Sequence, residues 1–382
     1  MQTFHLDSFA WSEEGFDHED IDIYIRSFGA AFLIQYRGHL LVGFDHVYAQ
    51  FLDSLDTLRG DDDDKSRKEV ERLKKPFETL MTSLAPHPPI STSYLYDYLY
   101  PQWFILNATV KDATTLQPQC QEKFSRHEIN FPGEYHMLPH RRQDLRTPLA
   151  SFASYSSRQV QLLPSTSQLH PCLRGPAKVL VGHTTCYFKA WKPGRGKRGA
   201  TYNEILAYGK IANAIAEGKI QHDIHICRLH GIVVDNDDDL PQHYPPDERG
   251  AREGQDRDGH NKRLVGILLT YVENKGTLKA LAPWSDCAQE LRPRWAEKLE
   301  VLIQTLHCAG LVWGDAKPDN VLVDTRDDLW LVDFGGSFTE GWVDKEKRDT
   351  QEGDLQGLER IKDWLVKCAK NPVHKIVRAR RE

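Results

Sequence analysis

Apolar positions fall into short strand-like runs and longer helical stripes, and their spacing predicts most elements of this chain. Residues 30–45, AAFLIQYRGHLLVGFD, read as two apolar strands around Arg37-Gly38, the pattern of a hairpin. A helix is expected near Val47–Leu58. Asp61–Asp64 then reads as a solvated turn, and Ser66-Arg67-Lys68-Glu69 fits a capping box. The helix it opens should run through Glu71–Leu84 and stop at Pro86, with Pro88 and Pro89 behind it. Residues 91–165 hold aromatic and apolar pieces such as SYLYDYLYPQWFILNATV, which read as strands between polar loops.

Further on, Thr184–Trp191 is a β-branched and aromatic strand. A helix beginning near Thr201 carries Tyr202, Ile205, Ile211, Ala212 and Ile215 on an apolar stripe. Ile226–Val234 and Leu264–Val272 read as strands. Between them, Asp235–Lys262 is rich in Asp, Arg, Gly and Pro and poor in core-forming residues, the composition of a mobile insertion. Trp295, Leu299, Leu302 and Leu306 follow helical spacing, and two short strands come after, Val321–Val323 and Leu329–Val332.

Composition sets limits on this picture. The 382 residues suffice for two or three domains of about 100–200 residues each. Hydrophobic residues make up 40 % and charged residues 27 %, the mix of a globular protein. No run approaches the roughly 18 apolar residues of a membrane-spanning helix, and the acidic N-terminus lacks a signal-peptide layout, so no membrane partner is expected. Seven scattered cysteines point to reduced thiols in a cytoplasmic or nuclear setting. A net charge of −6 gives no general reason to expect a nucleic-acid partner. The DDDDK string at Asp61–Lys65 reads as an acidic surface run rather than a protease-recognition site. His222, His225, Cys227 and His230 crowd together, but strand alternation would throw them onto different faces, which argues against zinc.

The densest chemical signal is Leu306–Phe334, LHCAGLVWGDAKPDNVLVDTRDDLWLVDF, in which a helix end leads into the polar loop Gly314–Asn320 and then two strands. Phosphoryl transfer accounts for these residue types. A carboxylate orients the attacking hydroxyl, a lysine neutralises the moving phosphoryl group, and an amide oxygen and a second carboxylate hold magnesium. Those roles fall on Asp315, Lys317, Asn320 and Asp333. Asp-x-Lys-Pro-x-Asn before a strand, with a second strand ending in Asp-Phe-Gly, is hard to obtain as an ordinary turn.

These residues resemble the signature set of protein kinases. The stretches WGDAKPDNVLVD, LVDFGGSFTEGWVD and TQEGDLQGL are similar, more narrowly, to a group of uncharacterised fungal kinase-like proteins. The resemblance covers about Pro176 to Val366. It implies an α+β, bilobal protein-kinase-like fold: a small antiparallel-sheet lobe over 166–276 with the mobile insertion at 235–262, and a truncated helical lobe over 277–382. An N-terminal α/β extension of unknown role would occupy 1–165. It further implies ATP and Mg2+ as cofactors, catalytic-base character for Asp315, γ-phosphate contact for Lys317, and metal ligation by Asn320 and Asp333. Lys189 stands at the position of the strand lysine, and Glu204 at that of its partner, although Thr201–Glu204 also fits a capping box. Main-chain groups of Thr270 and Val272 would meet the adenine edge.

Three departures bear on activity. No GxGxxG precedes Lys189; Gly175, Gly182 and His183 are the nearest candidates for a phosphate-covering turn. Trp313-Gly314 stands where His-Arg is expected, which removes the usual partner of a phosphorylated activation loop. No Ala-Pro-Glu follows Asp333, and Asp354 fits either a brace for the catalytic loop or an acidic helix start. Two classes of function therefore stand: a phosphotransferase acting on a protein or a small-molecule acceptor, and a pseudokinase serving as a nucleotide-binding or interaction scaffold.

Overall fold

A computed structural model describes residues 4–12, 19–85, 93–112, 114–122, 138–139, 152–164, 177–191, 200–236, 262–284, 287–336 and 338–370. The expected mobile insertion falls almost wholly outside them. The protein is a mixed α+β chain whose residues form two compact units, Met1–Glu134 with Ser156–Thr184 and Asp235–Asn261, and Tyr135–Tyr155 with Thr185–Val234 and Lys262–Glu382. No helix among the described residues is long and apolar enough to cross a membrane.

The first unit is built on a five-stranded sheet of β1 (His5–Trp11), β2 (Asp20–Ser27), β3 (Ala30–Arg37), β4 (Gln102–Asp112) and β5 (Thr115–Cys120), in that order. All neighbours are antiparallel except β3 and β4. The central strand β3 is buried along almost its whole length, which is why AAFLIQY is apolar without alternation. Helices α1 (Asp45–Arg59) and α2 (Asp63–Lys74) bury Phe51, Leu55, Val70 and Leu73 in one core with Ile23, Ile25, Phe32 and Ile34.

Four expectations for this region need correction. Arg37-Gly38 is not a hairpin turn: β3 pairs back onto β2 through Phe28-Gly29, and Gly29 supplies the left-handed φ of 69° that the reversal needs. Helix α2 starts before Ser66, because Asp62 caps it by accepting the amide hydrogen of Lys65 at 3.1 Å. It does not run unbroken to Leu84, since Pro76 has no N–H to continue the ladder and a 3-10 turn, Lys75–Phe77, precedes α3 (Glu78–Leu84). Leu95–Leu99 is a short helix rather than a strand, its first turn closed by Asp97 accepting from the Tyr94 amide at 2.8 Å.

In the second unit, β6 (Thr184–Ala190) pairs antiparallel with β8 (Lys262–Thr270), Lys189 opposite Ile267, and β7 (Leu229–Asn236) lies next to β8 in the sheet. The start of β7 is three residues later than the apolar pattern suggests, because Ile226 forms only an isolated bridge to Leu331. Helix α4 (Ala200–Ala216) buries Tyr202, Ile205, Tyr208 and Ile211. A smaller sheet joins β9 (Asn274–Thr277), β10 (Val321–Asp324) and β11 (Leu329–Leu331), all antiparallel. Helices α5 (Leu291–Cys308) and α6 (Gln351–Lys370) are joined by the Lys362–Glu300 ion pair at 3.0 Å. The core of this unit runs from Ile205 and Ile267 through Leu299, Leu302 and Leu306 to Val321, Leu331, Leu358 and Ile361.

Candidate active site

Helix α5 turns its stripe of Trp295, Leu299, Leu302, Ile303 and Leu306 into the core and then stops sharply. Gly310, at φ 73°, lets the Leu311 amide reach back to the Leu306 carbonyl at 2.9 Å and its own amide to that of His307 at 2.9 Å. This closure satisfies the last carbonyls and reverses the chain into the 311–317 loop. Helix α6 fixes that loop. Buried Asp354 accepts the amide hydrogens of Trp313 and Gly314, each at 2.8 Å, and its Oδ2 lies 3.0 Å from His307 Nε2. Asp354 is thus tied into the loop as well as sitting in the first turn of α6. One turn further, a Cβ on Gly357 would stand 2.6 Å from both Cβ and the carbonyl oxygen of Ala316, so only glycine allows this approach.

Position 314 itself explains the missing arginine. Gly314 has φ 94°, and a Cβ there would meet Gly336 Cα at 3.0 Å. An L-side chain is both strained and crowded at that point.

Asp315, 5 % exposed, gathers three partners. Lys317 Nζ approaches Oδ2 at 2.5 Å, the Thr339 hydroxyl donates to Oδ1 at 2.9 Å, and Asn320 Nδ2 donates to Oδ2 at 3.2 Å and to the Asp315 carbonyl at 3.0 Å. Lys317 also donates to Thr339 Oγ1 at 2.9 Å. Thr339 was not singled out in the sequence, where it lies 24 positions from Asp315 in a polar loop with no signal of its own.

The second cluster forms around Lys189. Its ammonium lies 2.7 Å from Glu204 Oε2 and 2.9 Å from Asp333 Oδ1. Glu204, 1 % exposed, meets the Tyr208 hydroxyl through Oε1 at 3.3 Å. Asp333 sits at φ 61°, a left-handed conformation that aspartate tolerates better than most residues. The next residue, Phe334, is buried with its ring 5.6 Å from that of Tyr208. Burial by itself lowers the Lys189 pKa, but the Glu204 and Asp333 carboxylates outweigh it and hold the ammonium above its usual range. Burial raises the Glu204 pKa, against the opposing pull of Lys189.

The two clusters meet through the backbone: the Val332 amide, just before Asp333, donates to the Asn320 carbonyl at 3.1 Å. Among the described residues the Asn320 side chain donates through Nδ2 alone, which leaves Oδ1 for a cation. That oxygen and the Asp333 carboxylate are hard donors of the kind magnesium takes. Thr270 is more committed. Its amide donates to the Arg228 carbonyl at 2.8 Å and its own carbonyl accepts the Cys227 thiol at 3.7 Å. The Val272 carbonyl accepts from Asn274 Nδ2 at 2.8 Å.

The histidines between 222 and 230 go separate ways. The His225 ring stacks on Trp330 at 4.5 Å and that of His230 on Tyr155 at 6.1 Å, while His222 faces the Arg228 guanidinium at 3.2 Å.

No protein-family model matches the chain. Curated proteins match parts of it. It is 27 % identical over 162 residues to the serine/threonine-protein kinase PKH3 of Eremothecium gossypii, covering 37 % of this chain and 21 % of that protein. It is 30 % identical over 74 residues, 19 % of this chain and 18 % of the relative, to the serine/threonine-protein kinase OXI1 of Arabidopsis thaliana. Against the cAMP-dependent protein kinase catalytic subunit PRKX of Mus musculus the figure is 29 % over 96 residues, 23 % of this chain and 24 % of that one. The chain is similar to protein kinases. The similarity supports a protein-kinase-like superfamily in the broad sense, and the chain spans only 18–24 % of the length of these relatives.

Proposed function

We propose that the second unit is an ATP- and magnesium-dependent phosphotransferase of the protein-kinase-like type, moving the γ-phosphate of ATP to a protein hydroxyl. The observation that carries this reading is Lys189 held between Glu204 and Asp333, with Asp333 linked through Val332 to the loop of Asp315, Lys317 and Asn320. A lysine held between a buried carboxylate and a half-exposed one suits a group that must present a charge to phosphate oxygens. Two of these relatives are serine/threonine-protein kinases, which favours a serine or threonine acceptor. The division into a strand-rich part before residue 276 and a helical part after it belongs to this proposal, as do the narrower likeness to fungal kinase-like proteins and a cytoplasmic or nuclear setting.

Each residue has a physical task in this reading. Lys189, aimed by Glu204, meets the α- and β-phosphates. Asp333 and Asn320 Oδ1 would hold magnesium, which neutralises charge on the β- and γ-phosphates. The Thr270 and Val272 main chain lines the edge of the base. Asp315 orients the acceptor hydroxyl and takes its proton as the new oxygen–phosphorus bond forms. The bond from phosphorus to the β-phosphate oxygen breaks and ADP leaves. Lys317 offsets the charge on the phosphoryl group in flight.

A second reading, a nucleotide-binding or interaction scaffold, is favoured by the lack of a GxGxxG before Lys189. A small-molecule acceptor fits the same residues. Thermal unfolding with Mg-ATP tests the binding part common to these readings. At a hundred times its dissociation constant, Mg-ATP should stabilise the fold by about 2.7 kcal/mol. No shift at millimolar Mg-ATP would overturn it.

A further inference from the structure

The stretch that follows Asp333 lacks Ala-Pro-Glu, and Gly314 offers no side chain to pin it. Residues 338–350 are nevertheless bonded to helix α6, and Asp344 meets that helix three times. Its amide donates to Gln356 Oε1 at 2.8 Å, Gln356 Nε2 donates back to its Oδ2 at 2.7 Å, and Arg360 Nη2 donates to its Oδ1 at 2.9 Å. Gln356 and Arg360 lie one turn apart on α6, so one helix face grips both the backbone and the side chain of Asp344. The bond from Gln356, followed by that from Arg360, holds the Asp344 carboxyl below the usual carboxylate range.

This grip is passed back toward Asp315 through a short chain of contacts. Val343, beside Asp344, is buried, and the Trp342 ring packs edge-on against that of Trp364 of α6 at 5.9 Å. The amides of Trp342 and Val343 both donate to the Thr339 carbonyl, at 3.0 and 3.1 Å, which closes a turn over residues 339–343. At the start of that turn the Thr339 hydroxyl donates to Asp315 Oδ1 and accepts from Lys317 Nζ, each at 2.9 Å. Asp344 itself is exposed, and among the described residues no bond joins it to Lys189, Asp315, Lys317, Asn320 or Asp333. A surface ion pair adds little to stability, which leaves placement of the turn as the main consequence of this one.

We propose that Asp344 is a positioning residue: held by Gln356 and Arg360, it fixes the 339–343 turn and keeps Thr339 on Asp315 and Lys317 without a phosphate on the segment. The inference rests on the phosphotransferase reading above and adds what orders the acceptor side of that site. Lys189 and Asp333 hold the nucleotide, so the effect falls on turnover and not on ATP affinity. A misplacement of about 1 Å at a reacting group can cost on the order of 10²-fold in rate.

Wild type, Asp344→Ala, Arg360→Ala and the double variant, all as the full chain, test this in two measurements. Asp344 is exposed, so each should keep the wild-type melting temperature within a few degrees. Amide hydrogen exchange in the peptide holding Trp342 and Val343 should be about tenfold faster in Asp344→Ala. In transfer from γ-labelled ATP, kcat of that variant should fall roughly 10–100-fold, with the KM for ATP within about twofold of wild type. Arg360→Ala should lose less, because Gln356 still holds Asp344, and the double variant should match Asp344→Ala. Unchanged exchange in Asp344→Ala would overturn the anchor, and faster exchange with unchanged kcat would overturn the positioning role. Phosphatase treatment of wild type should alter neither measurement, and a lower kcat after it would overturn placement without phosphate. A wild type with no transfer would overturn the phosphotransferase reading and the positioning role with it, while the exchange rates alone still decide the anchor.

Discussion

Asp354 and Gly314 share a 2.8 Å hydrogen bond that ties helix α6 to the residue immediately before Asp315. The other carboxylate oxygen takes the Trp313 amide, so two buried donors depend on one side chain. Asp354→Ala would strand both, at about 1–3 kcal/mol each. The melting temperature should fall by roughly 5–15 °C, with Asp354→Asn milder because one oxygen remains to accept. An unchanged melting temperature in Asp354→Ala would mean that water or other groups replace the carboxylate.

Gly357 makes a sharper steric case. Gly357→Ala would place a Cβ 2.6 Å from the Ala316 carbonyl oxygen, a backbone atom that cannot step aside cheaply. A loss of about 1–3 kcal/mol is expected, the usual cost of overpacking, even though alanine is the better helix former. A stabilised variant would show that α6 and the loop are further apart than described.

The Lys189–Glu204 pair predicts a pH dependence of known sign. In Lys189→Met, Glu204 stays buried without its counter-ion, so its folded pKa rises further above the usual carboxylate range. Between the unfolded and the folded value the native state binds more protons than the unfolded chain, so stability must fall as pH rises. Breaking the pair should cost about 2 kcal/mol near neutrality, less than for a fully buried pair because Lys189 is 30 % exposed. Adding Glu204→Gln should flatten the slope between pH 5 and 8. Denaturant melts across that range check both, and an equal slope in single and double variants would contradict the pairing.

How far the sequence reveals this protein depends on the range of each interaction. Asp315, Lys317 and Asn320 lie within six positions, and helix α5 and strands β10 and β11 around them follow plain periodicity. Their grouping is therefore legible from spacing. Thr339 and Gly357 act across 24 and 41 positions on the same loop; the stretches that hold them carry a family resemblance, but nothing in that resemblance singles out these two residues. The first unit reads less well for two local reasons. Its central strand is apolar on both faces, which hides where the hairpin turns, and single residues, Asp62 and Pro76, reset helix boundaries that the wider pattern leaves continuous.

Asp333 separates metal binding from folding. Asn keeps the left-handed backbone at φ 61° accessible and can still accept from Lys189, so Asp333→Asn should lie within about 1 kcal/mol of wild type without ligand. The magnesium-dependent part of ATP stabilisation should be lost. Thermal shifts with ATP, with and without magnesium, measure this, and an intact magnesium effect would assign the metal elsewhere.

Phosphoryl transfer itself is tested most directly at Asp315. Asp315→Asn is nearly isosteric and keeps hydrogen-bond capacity toward Lys317 and Thr339, but it cannot take a proton from an acceptor hydroxyl. Transfer from γ-labelled ATP, to the chain itself or to a broad panel of protein and small-molecule acceptors, should fall roughly 10²–10⁴-fold. ATP affinity, set by Lys189 and Asp333, should change by less than about 1 kcal/mol. Transfer that is equal in wild type and Asp315→Asn, including none in either, would contradict the account and favour the scaffold.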